Sequence, residues 1–312
     1  MTRAVRPIVP SRIAGTLGGH ESARAPRTVL GGYLALTKPR VIELLLVTTL
    51  PAMVLAGRSW PSWSLVAVVL VGGALAAGGA NAVNMYVDRD IDRLMARTAG
   101  RPLVTGLIRP RDALVFAVAL EAAAFALLAT GANVLSAVLA LSAMAFYVGV
   151  YTLWLKRTST HNIVIGGAAG AVPVLVGWAA VTGSLSWSAV LLFAIIFVWT
   201  PPHFWALAIR HADEYRAAGV PMLPSVAPMG RTVRTMVAYT VVLVALTLIL
   251  APVADLGAVY VASASLLGAA FLAAVATLVR RPTHEWSMRV FSFSISYVTL
   301  LFVALTVDVL VA

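Results

Sequence analysis

Apolar stretches recur along the chain at residues 35–57, 64–85, 112–130, 134–154, 162–182, 188–208, 235–253, 258–279 and 290–311, with polar or Gly/Pro-containing breaks between them. Each is close to the roughly 20 residues that an α-helix needs to cross a bilayer. A strand alone in lipid would leave its amides unpaired, so all nine are read as helices. The connections alternate in character. Gly131 to Asn133, Thr182 to Trp187 and Ala254 to Gly257 are short and nearly uncharged, whereas the connections between them are longer and basic. The pattern predicts an all-α polytopic membrane protein of about nine transmembrane helices over residues 33–312. Residues 1–32, Arg-rich and without a long apolar run, read as a flexible cytoplasmic tail, with an organelle transit peptide as the alternative.

Composition sharpens this picture. Hydrophobic residues make up 61% of the 312 and charged residues only 11%, less than half the share in an ordinary soluble domain. The net charge of +11 would suggest nucleic acid in a soluble protein, but beside apolar spans it reports membrane orientation instead. With an N-terminus inside and a C-terminus outside, 22 of the 23 Lys and Arg fall on the cytoplasmic side and only Arg58 lies opposite. The expected location is the bacterial cytoplasmic membrane, with the mitochondrial inner membrane as the alternative, and nucleic acid is excluded as a partner. No cysteine is present, so thiolate chemistry and thiol-bound metal are excluded.

The sequence also repeats weakly. A shift of 119 lays Arg97, Ala99, Gly100 and Pro102 on Arg216, Ala218, Gly219 and Pro221, and Thr152-Leu153 with Lys156-Arg157 matches Thr277-Leu278 with Arg280-Arg281 at a similar shift. Four helices separate the matches, an even number that preserves orientation. Two parallel four-helix units plus one extra helix are therefore expected.

Candidate chemistry concentrates after the second apolar stretch. Asn84, Asp88 and Asp92 are spaced by four, about 400° of helical turn, so they form one stripe rising roughly 6 Å per step. Hard oxygen ligands in that number suit Mg²⁺, which binds one or two carboxylates and completes its shell with water and phosphate. Asp90 points elsewhere and is expected to pair with a nearby Arg. Arg97, Arg101, Lys156 and Arg157 lie on the same side and could hold the outer oxygens of a diphosphate. The bland alternative is that the aspartates only solubilise a basic loop.

These residues, followed by Met95-Ala-Arg97-Thr98 and Arg101-Pro102-Leu103, resemble the first aspartate motif of the UbiA superfamily of intramembrane prenyltransferases. Tyr151 to Thr160, Trp199 to Leu207 with its Pro-Pro-His203-Phe-Trp core, and Asp213 to Pro224 are similar to the branch of that superfamily that farnesylates heme. The resemblance spans approximately residues 33–310. It implies that Asp88 and Asp92, helped by Asn84, hold Mg²⁺ and the diphosphate of farnesyl diphosphate, while a vinyl group of heme B attacks the allylic carbon and water traps the resulting cation. The implied surroundings are membrane lipid and, as partners, heme A synthase or oxidase assembly proteins.

One departure stands out. Most superfamily members carry a second aspartate motif, but the shift of 119 puts His203, Leu207 and His211 under Asn84, Asp88 and Asp92, which puts the second Mg²⁺ of those members in question. Imidazole suits heme iron or proton transfer better. His203 is expected to face the heme, as an iron ligand or beside the vinyl group; His211 and Tyr151 are further heme-binding candidates, with a purely structural role as the alternative for His211. A transporter would instead place its polar groups at the bilayer midplane, and a relative acting on a quinone precursor or chlorin would keep the aspartates but yield another product.

Overall fold

The structure is a computed structural model that describes residues 28–311. Most of the predicted tail, residues 1–27, lies outside the described residues, and Val29 already begins a helix. The helices are α1 (Val29–Thr37), α2 (Pro39–Gly57), α3 (Trp63–Asp92), α4 (Pro110–Gly131), α5 (Val134–Thr158), α6 (Asn162–Thr182), α7 (Trp187–Arg210), α8 (Met229–Val253), α9 (Ala258–Arg280) and α10 (His284–Val311). Short helical segments, Pro102–Thr105, Ala212–Ala217 and Leu223–Val226, punctuate the basic loops. Among the described residues there is no strand. Among the described residues, eight helices, α3 to α10, are long and apolar enough to cross a membrane, and α2 adds a shorter apolar stretch, Leu46–Gly57. This is an integral membrane protein with the helix order that the apolar pattern predicts.

Local sequence explains most of the boundaries. Ser62, Asn133 and Ser186 cap α3, α5 and α7 by accepting from the backbone N–H groups of Leu65, Ser136 and Ala189, which the first turn of a helix otherwise leaves unpaired. Pro39 and Pro110 open α2 and α4, where a missing N–H costs nothing. Two features escape that logic. The first apolar stretch is broken at Lys38, and α3 runs on past residue 85 to carry the whole aspartate stripe inside a helix.

The repeat is present in the packing. Helices α3 to α6 follow one another around the first unit as α7 to α10 do around the second, and α2, the extra helix, lies against α6 and α10. On the face opposite the basic loops, the outlying Arg58 donates to the carbonyls of Ala254 and Asp255, joining the end of α2 to the end of α8. Asp308 on α10 accepts from the N–H groups of Gly257 and Tyr260 at 2.6 and 3.0 Å. It thereby caps α9, whose own N-cap Gly257 has no side chain to do so.

The two units are filled differently. Large side chains such as Trp205, Phe271, Tyr297 and Phe302 pack the second unit. In the first unit the small residues from Gly72 to Ala82 serve two faces of α3. A β-carbon at Gly79 would stand 3.0 Å from the Ala117 carbonyl, so α4 closes tightly on that side. Gly73, Ala76, Ala77 and Ala80 line a cavity on the other.

Candidate active site

The cavity lies between α2, α3, α5 and α6 and has a volume of about 180 Å³. Its wall is almost wholly apolar, and along α3 it runs from Val69 to Asn81, about 18 Å of helix. The stripe continues the same helix toward the basic loops. Asn84, Asp88 and Asp92 are 2%, 0% and 1% exposed, buried side by side as the four-residue spacing requires.

Their partners come from α3 itself, from α5 and from the basic loop after α3. Asn84 Nδ2 donates to Asp88 Oδ2 at 2.7 Å and to Thr152 Oγ1 at 3.2 Å. Lys156 Nζ donates to Asp88 Oδ2, and Arg101 Nη1 to Asp92 Oδ2 at 2.6 Å. Arg157 forms a bidentate pair with the exposed Asp90, both bonds 2.7 Å, and reaches Asp88 Oδ1 only at 3.9 Å. The structure thus brings Asn84, Asp88, Asp92, Lys156, Arg157 and Arg101 together. Arg97 is placed differently: its Nη2 donates to the Tyr215 hydroxyl at 2.7 Å and its guanidinium lies over that ring, which ties the first basic loop to the second.

Sequence reasoning missed two contributors. Residues Phe146–Leu155 of α5 are π-helical, so positions five apart share a face. Thr152 thereby sits over Tyr147, whose carbonyl it bonds at 2.9 Å, and also reaches Asn84. The widened turn stacks Tyr151 on Tyr147, with ring centres 5.3 Å apart, and Tyr151 fills the space that a β-carbon at Gly166 would occupy. An apolar helix gives no sign of this in its composition. The second contributor is Lys38, whose Nζ donates to Asn84 Oδ1 at 2.8 Å. Burial, with Arg101 and Lys156 close by, lowers this ammonium to about 7. Glu43, five residues further along the chain, is exposed.

Two carboxylate oxygens remain. Asp88 Oδ1 and Asp92 Oδ1 are buried and accept no hydrogen bond, a costly state for a carboxylate unless a cation meets it. Among the described residues no three His, Cys, Asp or Glu side chains converge as a metal site. Two free carboxylate oxygens and an amide therefore fit Mg²⁺, which borrows the rest of its shell, better than an ion held by protein alone.

At the positions that the repeat predicts, α7 carries His203 and ends at His211. The His203 ring is stacked between Trp199 and Phe291, with ring centres 4.2 and 4.7 Å away. Its Nδ1 lies 2.6 Å from Ser294 Oγ. Ser294 spends its single proton on the Phe291 carbonyl at 2.6 Å, so toward His203 it accepts. This network assigns the proton to Nδ1 and leaves Nε2 its lone pair. His211 Nδ1 pairs with Glu214 at 3.1 Å, and burial, partly offset by that carboxylate, lowers its pKa.

The profile of the UbiA prenyltransferase family matches residues 45–303. The chain belongs to the UbiA prenyltransferase family. Within the family it is similar to the protoheme IX farnesyltransferase of Parafrankia sp. (strain EAN1pec), 56% identical over 276 residues that cover 88% of each chain. Its fold is similar to that of the solved digeranylgeranylglyceryl phosphate synthase, with a TM-score of 0.75 at 19% identity over 91% of this chain and 99% of that one. It also resembles the UbiA homologue from Archaeoglobus fulgidus solved with DMAPP and Mg²⁺, with a TM-score of 0.60 at 18% identity over 86% and 99%. At those identities the likeness shows the fold alone.

Proposed function

We propose that the protein transfers the farnesyl group of farnesyl diphosphate to a vinyl group of heme B, with addition of water, giving heme O and diphosphate. The observation that carries this reading is the pair of unpartnered, buried oxygens of Asp88 and Asp92 beside an apolar cavity. The 56% identity to a protoheme IX farnesyltransferase supports heme as the acceptor. The bond between farnesyl C1 and the diphosphate oxygen breaks, and a bond from C1 to the terminal vinyl carbon forms. Water then adds to the carbon attached to the porphyrin and releases one proton.

Asp88, Asp92 and Asn84 would hold Mg²⁺, which supplies charge to the departing diphosphate. Lys156 and Arg101 are fixed by the same carboxylates and Arg157 by Asp90; all three would take its outer oxygens, stabilising the leaving group as the allylic carbon becomes positive. The isoprenoid tail would lie in the apolar cavity, shielded from water. Arg97, bonded to Tyr215, would hold the two basic loops over the site and meet the diphosphate from their side. His203 would face the heme through Nε2, with Tyr151 and His211 bordering it.

Chromatography of hemes from cells expressing the chain tests the assignment. Heme O is the expected product, and a prenylated quinone in its place would overturn it. The location we infer is the bacterial cytoplasmic membrane with the basic face in the cytoplasm, supported by the charge asymmetry. Because the chain has no cysteine, single cysteines can report this directly. A cysteine at Ser59 or Ser184 should react with an impermeant maleimide added to intact cells, and one at Ser159 should react only after lysis. The reverse pattern would invert the topology.

A further inference from the structure

Lys38 is out of place for a lysine at a membrane boundary. Its backbone is left-handed, with φ 54° and ψ 64°, immediately before Pro39. That conformation is strained for a non-glycine residue and persists only where its surroundings enforce it. They do so here: Asn81 Nδ2 donates to the Thr37 carbonyl at 2.9 Å and pins the end of α1 onto α3. The break lets the Lys38 side chain reach the stripe, where its ammonium meets Asn84 Oδ1.

The partner matters more than the distance. Lys156, Arg101 and Arg157 each face a carboxylate, of Asp88, Asp92 and Asp90 respectively. Lys38 faces a neutral amide beside two other cations. With Lys38 protonated, four cations face the three carboxylates of Asp88, Asp90 and Asp92, one positive charge more than the carboxylates offset. A diphosphate ester arriving with one divalent cation brings a net negative charge of about that size and supplies phosphate oxygens, the acceptors that an ammonium prefers to an amide. The same arrival claims Asn84 Oδ1 for the metal and displaces Lys38 from it.

We propose that Lys38 is a diphosphate-binding residue, delivered by the break between α1 and α2, which donates to Asn84 before substrate enters and then passes to a phosphate oxygen. This rests on the diphosphate reading of the aspartate site. The probe is inorganic pyrophosphate with Mg²⁺, titrated calorimetrically into the purified full-length protein in detergent. Lys38→Gly suits the left-handed backbone and relieves its strain, so the variant should melt no lower than wild type. Its pyrophosphate affinity should fall ten- to a hundredfold, the loss of one hydrogen bond to a charged group. Lys38→Arg should recover most of that loss, and Mn²⁺ binding without pyrophosphate should not weaken in either variant, since Lys38 competes with the metal for Asn84 Oδ1. Equal pyrophosphate affinity in Lys38→Gly and wild type would overturn the proposal. So would an equal fall in Mn²⁺ affinity, which would make Lys38 a support for Asn84 only. If wild type itself binds no pyrophosphate, the diphosphate reading fails, a result separate from either of these.

Discussion

Replacing Asp88 by alanine is expected to abolish heme O formation, by three orders of magnitude or more, and to destabilise the protein as well. The two effects have different causes. Asp88 is fully buried and accepts from both Lys156 and Asn84. Its removal strands the Lys156 ammonium, and breaking a buried pair at one end costs about 3–5 kcal/mol. A loss of activity in Asp88→Ala alone would therefore not separate a chemical role from a fold that has come apart. The double variant Asp88→Ala with Lys156→Met separates them. It removes both charges at similar volume, which is often close to neutral for stability, so thermal melts should return most of the way to wild type. Diphosphate release from farnesyl diphosphate in the presence of heme should remain absent, because Asp88 Oδ1, which accepts no hydrogen bond from the described residues, is still missing. A stable double variant that releases diphosphate at the wild-type rate would reduce the stripe to an ion-pair network.

The same pair shows how far the sequence could be read. Asn84, Asp88 and Asp92 declare themselves because a helix imposes a fixed angle per residue, so spacing alone puts them on one face. Lys156 could be assigned to their side of the membrane by topology, since the basic residues fall almost entirely on one face. The α3–α6 and α7–α10 repeat was legible for a similar reason: Arg97 and Arg216 open matching loops. What stayed hidden depended on contacts between distant elements. Nothing in Thr37-Lys38-Pro39 says that Asn81 will hold a carbonyl there and force a left-handed residue. The π-helical stretch of α5 is equally silent, because its residues are apolar on every face and one register looks like another. Arg97 was assigned to a diphosphate by its side of the membrane, yet its bond is to Tyr215, 118 positions away. Periodicity fixes which face a residue occupies, whereas the reach of a long cationic side chain is decided by what the second unit places opposite it.

That second unit carries the other large expected effect. His203→Ala should lower heme O formation by about 10² to 10⁴, the range for a positioned group that moves a proton. The structural argument is the tautomer: Ser294 accepts from Nδ1, as a carbonyl does behind a metal-ligating histidine, and Trp199 and Phe291 cover both faces of the ring. Only Nε2 is then left for chemistry, as a ligand for heme iron or as the acceptor for the proton of the adding water. Two measurements tell these apart. If Nε2 ligates iron, His203→Ala should shift the Soret band of bound heme and weaken heme binding. If it receives the proton, heme should bind unchanged while farnesylated product accumulates lacking one water by mass, since the cation beside the porphyrin then loses a proton to form an alkene. Ser294→Ala should give a smaller loss of the same kind, because it frees the tautomer without removing the ring. Unchanged heme binding together with unchanged heme O output in His203→Ala would leave the imidazole a packing element between two aromatic rings, and the heme would have to be sought elsewhere between the units.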